Sequence, residues 1–256
     1  GILNADVNNQ RYANGTATIL RKGKSSLVVS FTLDRDTNFL IDGSITDGTD
    51  TLNFNGWRKI WSKTAPASVF AGTVAPIGNF TFGLNIPDGK QGTVDHDDIP
   101  QGTGYGSFTV NPTTAALTVA GKLADGTAYT SATFLGPDGQ VAVFKTLYKA
   151  PSLGSIVGSM AVVADVVPEA NTLGGTINWW RPASTNPKER IYRLGFAPMD
   201  LTVVGARYVN PIAPSLILGL DSNALAPDNA MISFAEAYID VPGPTPDVTL
   251  TVGLKN

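Results

Sequence analysis

The chain has 256 residues, 43% hydrophobic and 15% charged, with 27 Gly, 17 Pro, no Cys and one His, and its 18 basic and 21 acidic residues leave a net charge of −3. A charged fraction below the usual value of about 25%, with abundant Gly, Thr and Val, argues against helical bundles and coiled coils and for short strands joined by tight turns. Without cysteine there are no disulfides or thiolate metal sites, one histidine excludes a multi-histidine metal centre, and a charge this small offers no field for nucleic acid or anionic lipid.

Alternating apolar and polar positions recur in short runs bounded by Gly, Pro, Asn and Asp, the period-two pattern of half-buried antiparallel strands. Thr16 to Leu20 and Leu27 to Leu33 flank a basic turn in which Gly23 can take positive φ, predicting a hairpin. The runs Phe39 to Ile45, Thr49 to Phe54, Val69 to Val74 and Phe80 to Ile86 extend it as a meander, with turn signals at Asp47-Gly48 and Ala65-Pro66. Pro87 to Gly104 reads as a long loop. Strands are predicted again over Tyr105 to Val110, Ala116 to Leu123, Thr127 to Phe134, Val141 to Leu147, Ser155 to Val163 and Gly175 to Trp180. Beyond Arg181-Pro182 the spacing turns irregular, with candidates at Leu201 to Ala206, Leu216 to Leu220, Met231 to Phe234 and Val248 to Val252. No apolar run approaches the roughly 18 residues of a membrane-spanning helix, and no secretory leader is recognised at Gly1-Ile2-Leu3-Asn4, so the chain reads as a mature or excised soluble piece.

An internal repeat is visible. Ser30-Phe31-Thr32-Leu33 followed by Gly43-Ser44-Ile45-Thr46-Asp47-Gly48-Thr49 matches Ser107-Phe108-Thr109-Val110 followed by Gly121-Lys122-Leu123-Ala124-Asp125-Gly126-Thr127. Each copy is strand, turn, strand, Asp-Gly turn, strand. Unpaired edges on sheets this large invite aggregation, so closure or face-to-face packing is expected. The predicted fold is all-β: an antiparallel up-and-down meander closed into a barrel, or two packed sheets, built from two related repeats. It forms a single domain over 1–256, with repeats at about 11–88 and 101–180 and an irregular part over 181–256.

The run Ile99-Pro100-Gln101-Gly102-Thr103-Gly104-Tyr105-Gly106-Ser107-Phe108-Thr109-Val110, then Gly121 to Thr127, Leu147-Tyr148 and Trp180-Arg181-Pro182-Ala183, resembles a β-rich repeat module of large secreted and surface proteins of planctomycete and verrucomicrobial bacteria. The resemblance implies an extracellular or cell-surface location and a β architecture, and it carries over no functional residue.

Each chemical motif has a structural competitor. Asp47-Gly48-Thr49 and Asp125-Gly126-Thr127 lack the Asp-Thr-Gly order of aspartic proteases and read as hairpin turns. Asp88, Asp95, Asp97 and Asp98 share the long loop and form the best candidate for a calcium site, since calcium wants several oxygens on a flexible segment, against the commoner outcome of a solvated acidic loop. His96 lies among these carboxylates, and no Gly-x-Ser-x-Gly elbow accompanies it. Gly23-Lys24-Ser25 lacks the upstream glycine of a phosphate-binding loop. Asn14-Gly15-Thr16 and Asn79-Phe80-Thr81 match the glycosylation pattern, which means nothing in a bacterial protein. Neighbours on a strand point oppositely, so of Trp179 and Trp180 one is core and the other exposed, the latter capping the rim against Arg181-Pro182.

These readings predict a non-enzymatic structural or adhesive module that associates with itself or with other surface proteins, the strand-like segment after Pro242-Gly243-Pro244 completing a neighbouring copy by strand addition. The alternative is a carbohydrate-binding module with Trp57, Trp61 and Trp180 as stacking platforms for a glycan. A third reading, a small-molecule carrier, requires an empty lumen. No cofactor is expected, calcium apart.

Overall fold

The computed structural model describes residues 2–5, 10–71, 78–87, 98–167, 170–189, 191–209, 230–232 and 248–250. The chain divides into two compact units, Gly1–Tyr208 and Val209–Asn256.

The first unit holds two antiparallel sheets. A five-stranded sheet runs in chain order through β1 (Ile2–Ala5), β2 (Tyr12–Ile19), β3 (Leu27–Asp34), β4 (Leu40–Thr46) and β5 (Thr51–Asn53). An eight-stranded sheet follows, made of β6 (Asn79–Asn85), β7 (Gly104–Thr109), β8 (Ala116–Lys122), β9 (Ala128–Phe134), β10 (Gln140–Leu147), β11 (Gly154–Val163), β12 (Thr172–Arg181) and β13 (Phe196–Arg207). Its strand order is β10-β11-β12-β13-β6-β7-β8-β9, so the first strand of the series pairs with the last, from Thr202 opposite Asn85 to Arg207 opposite Phe80. The seam lies between β9 and β10, which are consecutive in the chain and carry no ladder. There Phe144 N donates to the Ser131 hydroxyl at 3.2 Å and Gly136 N to Gln140 O at 2.7 Å. The sheet is thus an almost closed up-and-down barrel, which removes nearly all of its edges. The second unit contributes a two-stranded ladder of β14 (Ala230–Ile232) and β15 (Val248–Leu250).

Alternation builds the barrel wall. On β7, Gly104, Gly106 and Phe108 are buried while Tyr105, Ser107 and Thr109 face out. The lumen is filled: Phe80, Leu84, Val119, Val141, Ile156 and Ile177 are fully buried, and the Phe80 and Phe108 rings stack at 5.1 Å. Gly106 is required by close approach, because a Cβ there would overlap the Phe82 ring and the Tyr129 hydroxyl. A carrier needs an empty lumen, and among the described residues these side chains occupy it.

The repeat is structural as well as sequential. Asn14 faces Thr32 across β2 and β3 as Asn79 faces Thr109 across β6 and β7. In both copies the threonine hydroxyl donates to the asparagine carbonyl oxygen. The two Asn-x-Thr triplets are therefore one ladder position in two copies, and the second copy begins at β6, inside the 11–88 stretch expected for the first. The β3–β4 and β7–β8 ladders differ by two residues: Phe31 faces Gly43, whereas Gly121 faces Gly106 instead of Phe108. An even slip keeps every side chain on its face. Both Asp-Gly turns form as predicted, with Gly48 and Gly126 at φ of 94° and 82°.

Two expectations are corrected. The described part of the Val69 to Val74 candidate is not a strand: Ser68–Ala71 is one helical turn, α1, which follows Pro66. That turn sends Ala67 and Phe70, three residues apart, into the core, Phe70 packing edge-on against Trp61 at 5.7 Å. Arg181 does not cap Trp180, since the period that turns Trp179 inward turns Arg181 inward too. The candidate at Leu216 to Leu220 lies outside the described residues.

Candidate functional site

The loops at the two ends of the barrel differ. One end carries 110–115, 135–139, 164–167 and 170–171, and is packed by Ala67, Phe70 and Trp61. The other carries residues 86–87 and 98–103, 148–153, 182–189 and 191–195 besides the Asp-Gly turn 123–127. A cleft of about 570 Å³ opens there between the 148–153 and 182–195 loops, lined by Tyr148, Pro151, Arg181, Thr185, Asn186 and Glu189 among others.

Its floor is a buried polar network. Asp125 Oδ1 caps its own turn by accepting Thr127 N at 2.9 Å, which leaves Oδ2 to face the barrel. That oxygen accepts Arg181 Nη1 at 2.7 Å and the Tyr148 hydroxyl at 2.9 Å. The Tyr148 oxygen in turn accepts Trp179 Nε1 at 3.0 Å. Arg181 Nη2 pairs with Glu189, and the guanidinium lies between the rings of Tyr148 and Tyr192, at 4.8 and 5.6 Å. The Asp125 side chain is completely buried and that of Arg181 is 7% exposed. A buried ion pair survives desolvation only when its remaining polar atoms are bonded, and this network bonds them.

Tyr148 and Tyr192, which flank the arginine, both adopt left-handed backbone, at φ of 63° and 55°. Such a conformation costs on the order of 1–3 kcal/mol in a non-glycine residue and persists only where its surroundings hold it. Burial, reinforced by the Asp125 charge, holds the Tyr148 phenol well above the ordinary tyrosine range. It stays protonated at neutral pH, and its hydroxyl donates to Asp125 Oδ2. With its acid, base and phenol engaged with one another, the floor can fasten three loops together and present a polar rim bearing Lys149 and Lys188.

The sequence-predicted residues fall elsewhere. Trp61 Nε1 donates to Leu135 O at 2.9 Å and its ring packs on Phe70, so it closes the opposite end of the barrel. Trp57 is half-buried, bridged to Phe39 and lying against Gly136. Trp179 is fully buried and Trp180 is 40% exposed on the outer face, as the alternation requires. Around Trp180 that face carries Phe144, 62% exposed and directly opposite the exposed Val157, which faces Asn178. Asn178 Nδ2 donates to Asp200 at 2.9 Å. Trp57 and Trp61 thus meet at Gly136, and Trp180 stands apart from them on the outer wall. Asp88, Asp95 and Asp97 lie outside the described residues and Asp98 is exposed; among the described residues no cluster of His, Asp or Glu suits a metal. No helix among the described residues is long and apolar enough to cross a membrane.

Sequence reasoning missed Asp125, Tyr148, Arg181, Glu189 and Tyr192 as a group. The available signal was the parity of Arg181 with Trp179 on one strand. No protein-family model, no curated protein and no solved structure matches the chain.

Proposed function

We propose that the chain is a non-enzymatic structural or adhesive module of an extracellular or cell-surface protein, acting through self-association or contact with other surface proteins. The observation that carries this reading is the rim network, in which Arg181, Asp125, Tyr148 and Glu189 saturate one another above a lumen filled with side chains. Groups spent on one another hold loops in place. The likeness of the Gly121 to Thr127 and Trp180 to Ala183 stretches to bacterial surface modules supports the location. Strand addition by the β15 segment, which pairs with β14 within the chain, remains part of this reading. The test is a binding screen against surface-protein fractions and concentration-dependent sedimentation: self-association or capture supports the reading, and turnover of a substrate that Arg181→Met abolishes contradicts it.

One observation favours the second reading, a carbohydrate-binding module. Trp180 and Phe144 stand on the same outer face two strands apart, about 10 Å laterally, with Ser155 and Val157 on the strand between them and Asn178 beside Trp180 on β12. Exposed aromatic faces beside amide and hydroxyl groups suit a sugar chain. Glycan-array binding lost in Trp180→Ala and Phe144→Ala supports it; binding unchanged in both, or none at all, contradicts it.

A further inference from the structure

The five-stranded sheet is amphipathic across its width. Ala17 faces Val29, Val29 faces Ile45, and Ile45 faces Leu52, giving one apolar row over four strands, extended by Ile19 opposite Leu27. The other face carries Thr16, Ser30, Ser44 and Asn53 in the corresponding row. The apolar face is incompletely covered: Leu52 is 71% and Ile19 48% exposed, and Val29, Phe31 and Ile45 are half-buried.

The internal repeat shows what covers such a face. By ladder position β1-β2-β3-β4-β5 corresponds to β13-β6-β7-β8-β9, with β1 beside β2 as β13 stands beside β6. In the eight-stranded copy that face is the barrel interior, and Phe108, the counterpart of Phe31, is 4% exposed because β10, β11 and β12 lie across from it. The five-stranded copy has no counterpart of those three strands in its own sheet. Its natural complement is another antiparallel sheet with one apolar face.

We infer that this face is closed by the same face of a second copy, the two sheets packing as a sandwich about a two-fold axis. The inference rests on the self-association included in the proposed function and names the surface that does it. An isologous contact sets each residue class against itself, which is costly for charges. The apolar rows carry none, so the face is self-complementary. Five strands about 4.8 Å apart, averaging about 20 Å in length, cover a footprint on the order of 500 Å² per partner, or about 1,000 Å² in all. That lies below the roughly 1,200 Å² at which stable interfaces begin and predicts a weak, reversible dimer.

The experiment is analytical ultracentrifugation of the full chain over a wide concentration range. Ile19→Lys/Leu52→Lys alters two already exposed side chains, so it leaves the fold intact, which the circular dichroism of dilute samples verifies. The expected result is a concentration-dependent dimer whose dissociation constant rises more than tenfold in this double variant and is unchanged by Thr249→Pro, which breaks β15. The absence of cysteine permits a second measurement. Val29→Cys, central on the face, links efficiently between copies through a bismaleimide of about 10 Å, the spacing of packed sheets, while Asn53→Cys on the polar face does not. A chain monomeric at all concentrations overturns the inference and leaves the structural reading standing. A dimer insensitive to the lysine variant but lost in Thr249→Pro overturns it in favour of strand addition.

Discussion

Arg181 illustrates how a single side chain joins elements far apart in sequence. Its alternation on β12 aims it inward, and its length carries the guanidinium to Asp125 in the β8–β9 turn and to Glu189 in the loop before β13. The same logic governs Asp34, buried at the end of β3, where Arg11 donates through Nε at 3.0 Å and Nη2 at 2.5 Å. The Arg11 hydrogen bonds hold the Asp34 carboxyl well below the usual carboxylate range. A group depressed on folding contributes stability above its unfolded pKa of about 3.9 and loses it as pH falls. Acid titration of stability should therefore steepen below about pH 4, and Asp34→Asn should flatten that limb. Tyr129 and Tyr148 behave oppositely, burial pushing both phenols well above their ordinary value of about 10. The unfolded chain releases these protons first, so their contribution is intact below about pH 10 and is lost as pH rises. Ultraviolet titration should show two tyrosines that fail to ionise near pH 10 in the folded protein and do so in denaturant.

At the scale of the element, strand period and turn chemistry were legible because both are local. The Asp-Gly dipeptides specify left-handed glycine, and Gly48 and Gly126 supply it. Trp179 and Trp180 had to part, and did. What escaped was non-local. Ser68–Ala71 bends into a helical turn because the core it reaches is built by residues that follow it, Trp61 excepted. The partner of β6 is β13, more than a hundred residues on, and no period in the sequence announces it. Gly106 shows how tightly the elements fit: Gly106→Val should destabilise by roughly 1–3 kcal/mol through overlap with Phe82 and Tyr129, measured by urea denaturation. The seam offers a second check. Amides of β9 and β10 that point into the gap should exchange hydrogen by local opening, whereas those of β6 and β13 should exchange only on global unfolding.

For the whole molecule, the duplication explains both the regular part and its asymmetry. One copy of the sheet is completed by the strands that follow it and makes a filled barrel; the other keeps an incompletely covered apolar face. The sequence motif exposed the duplication because turns and strand ends survive in both copies. The rim network was not legible, since it depends on which loops converge at one end of the barrel. If that network exists to fasten the loops, removing one partner strands a buried charge and removing both relieves it. A double-mutant cycle of Asp125→Asn and Arg181→Met, read by urea unfolding, tests this most directly. The account predicts that each single change costs about 3–5 kcal/mol and that the pair costs well under their sum, a coupling of at least about 2 kcal/mol. Single variants as stable as the parent, or more so, would contradict it, because charges kept at the expense of stability belong to a site that does chemistry or binds a ligand.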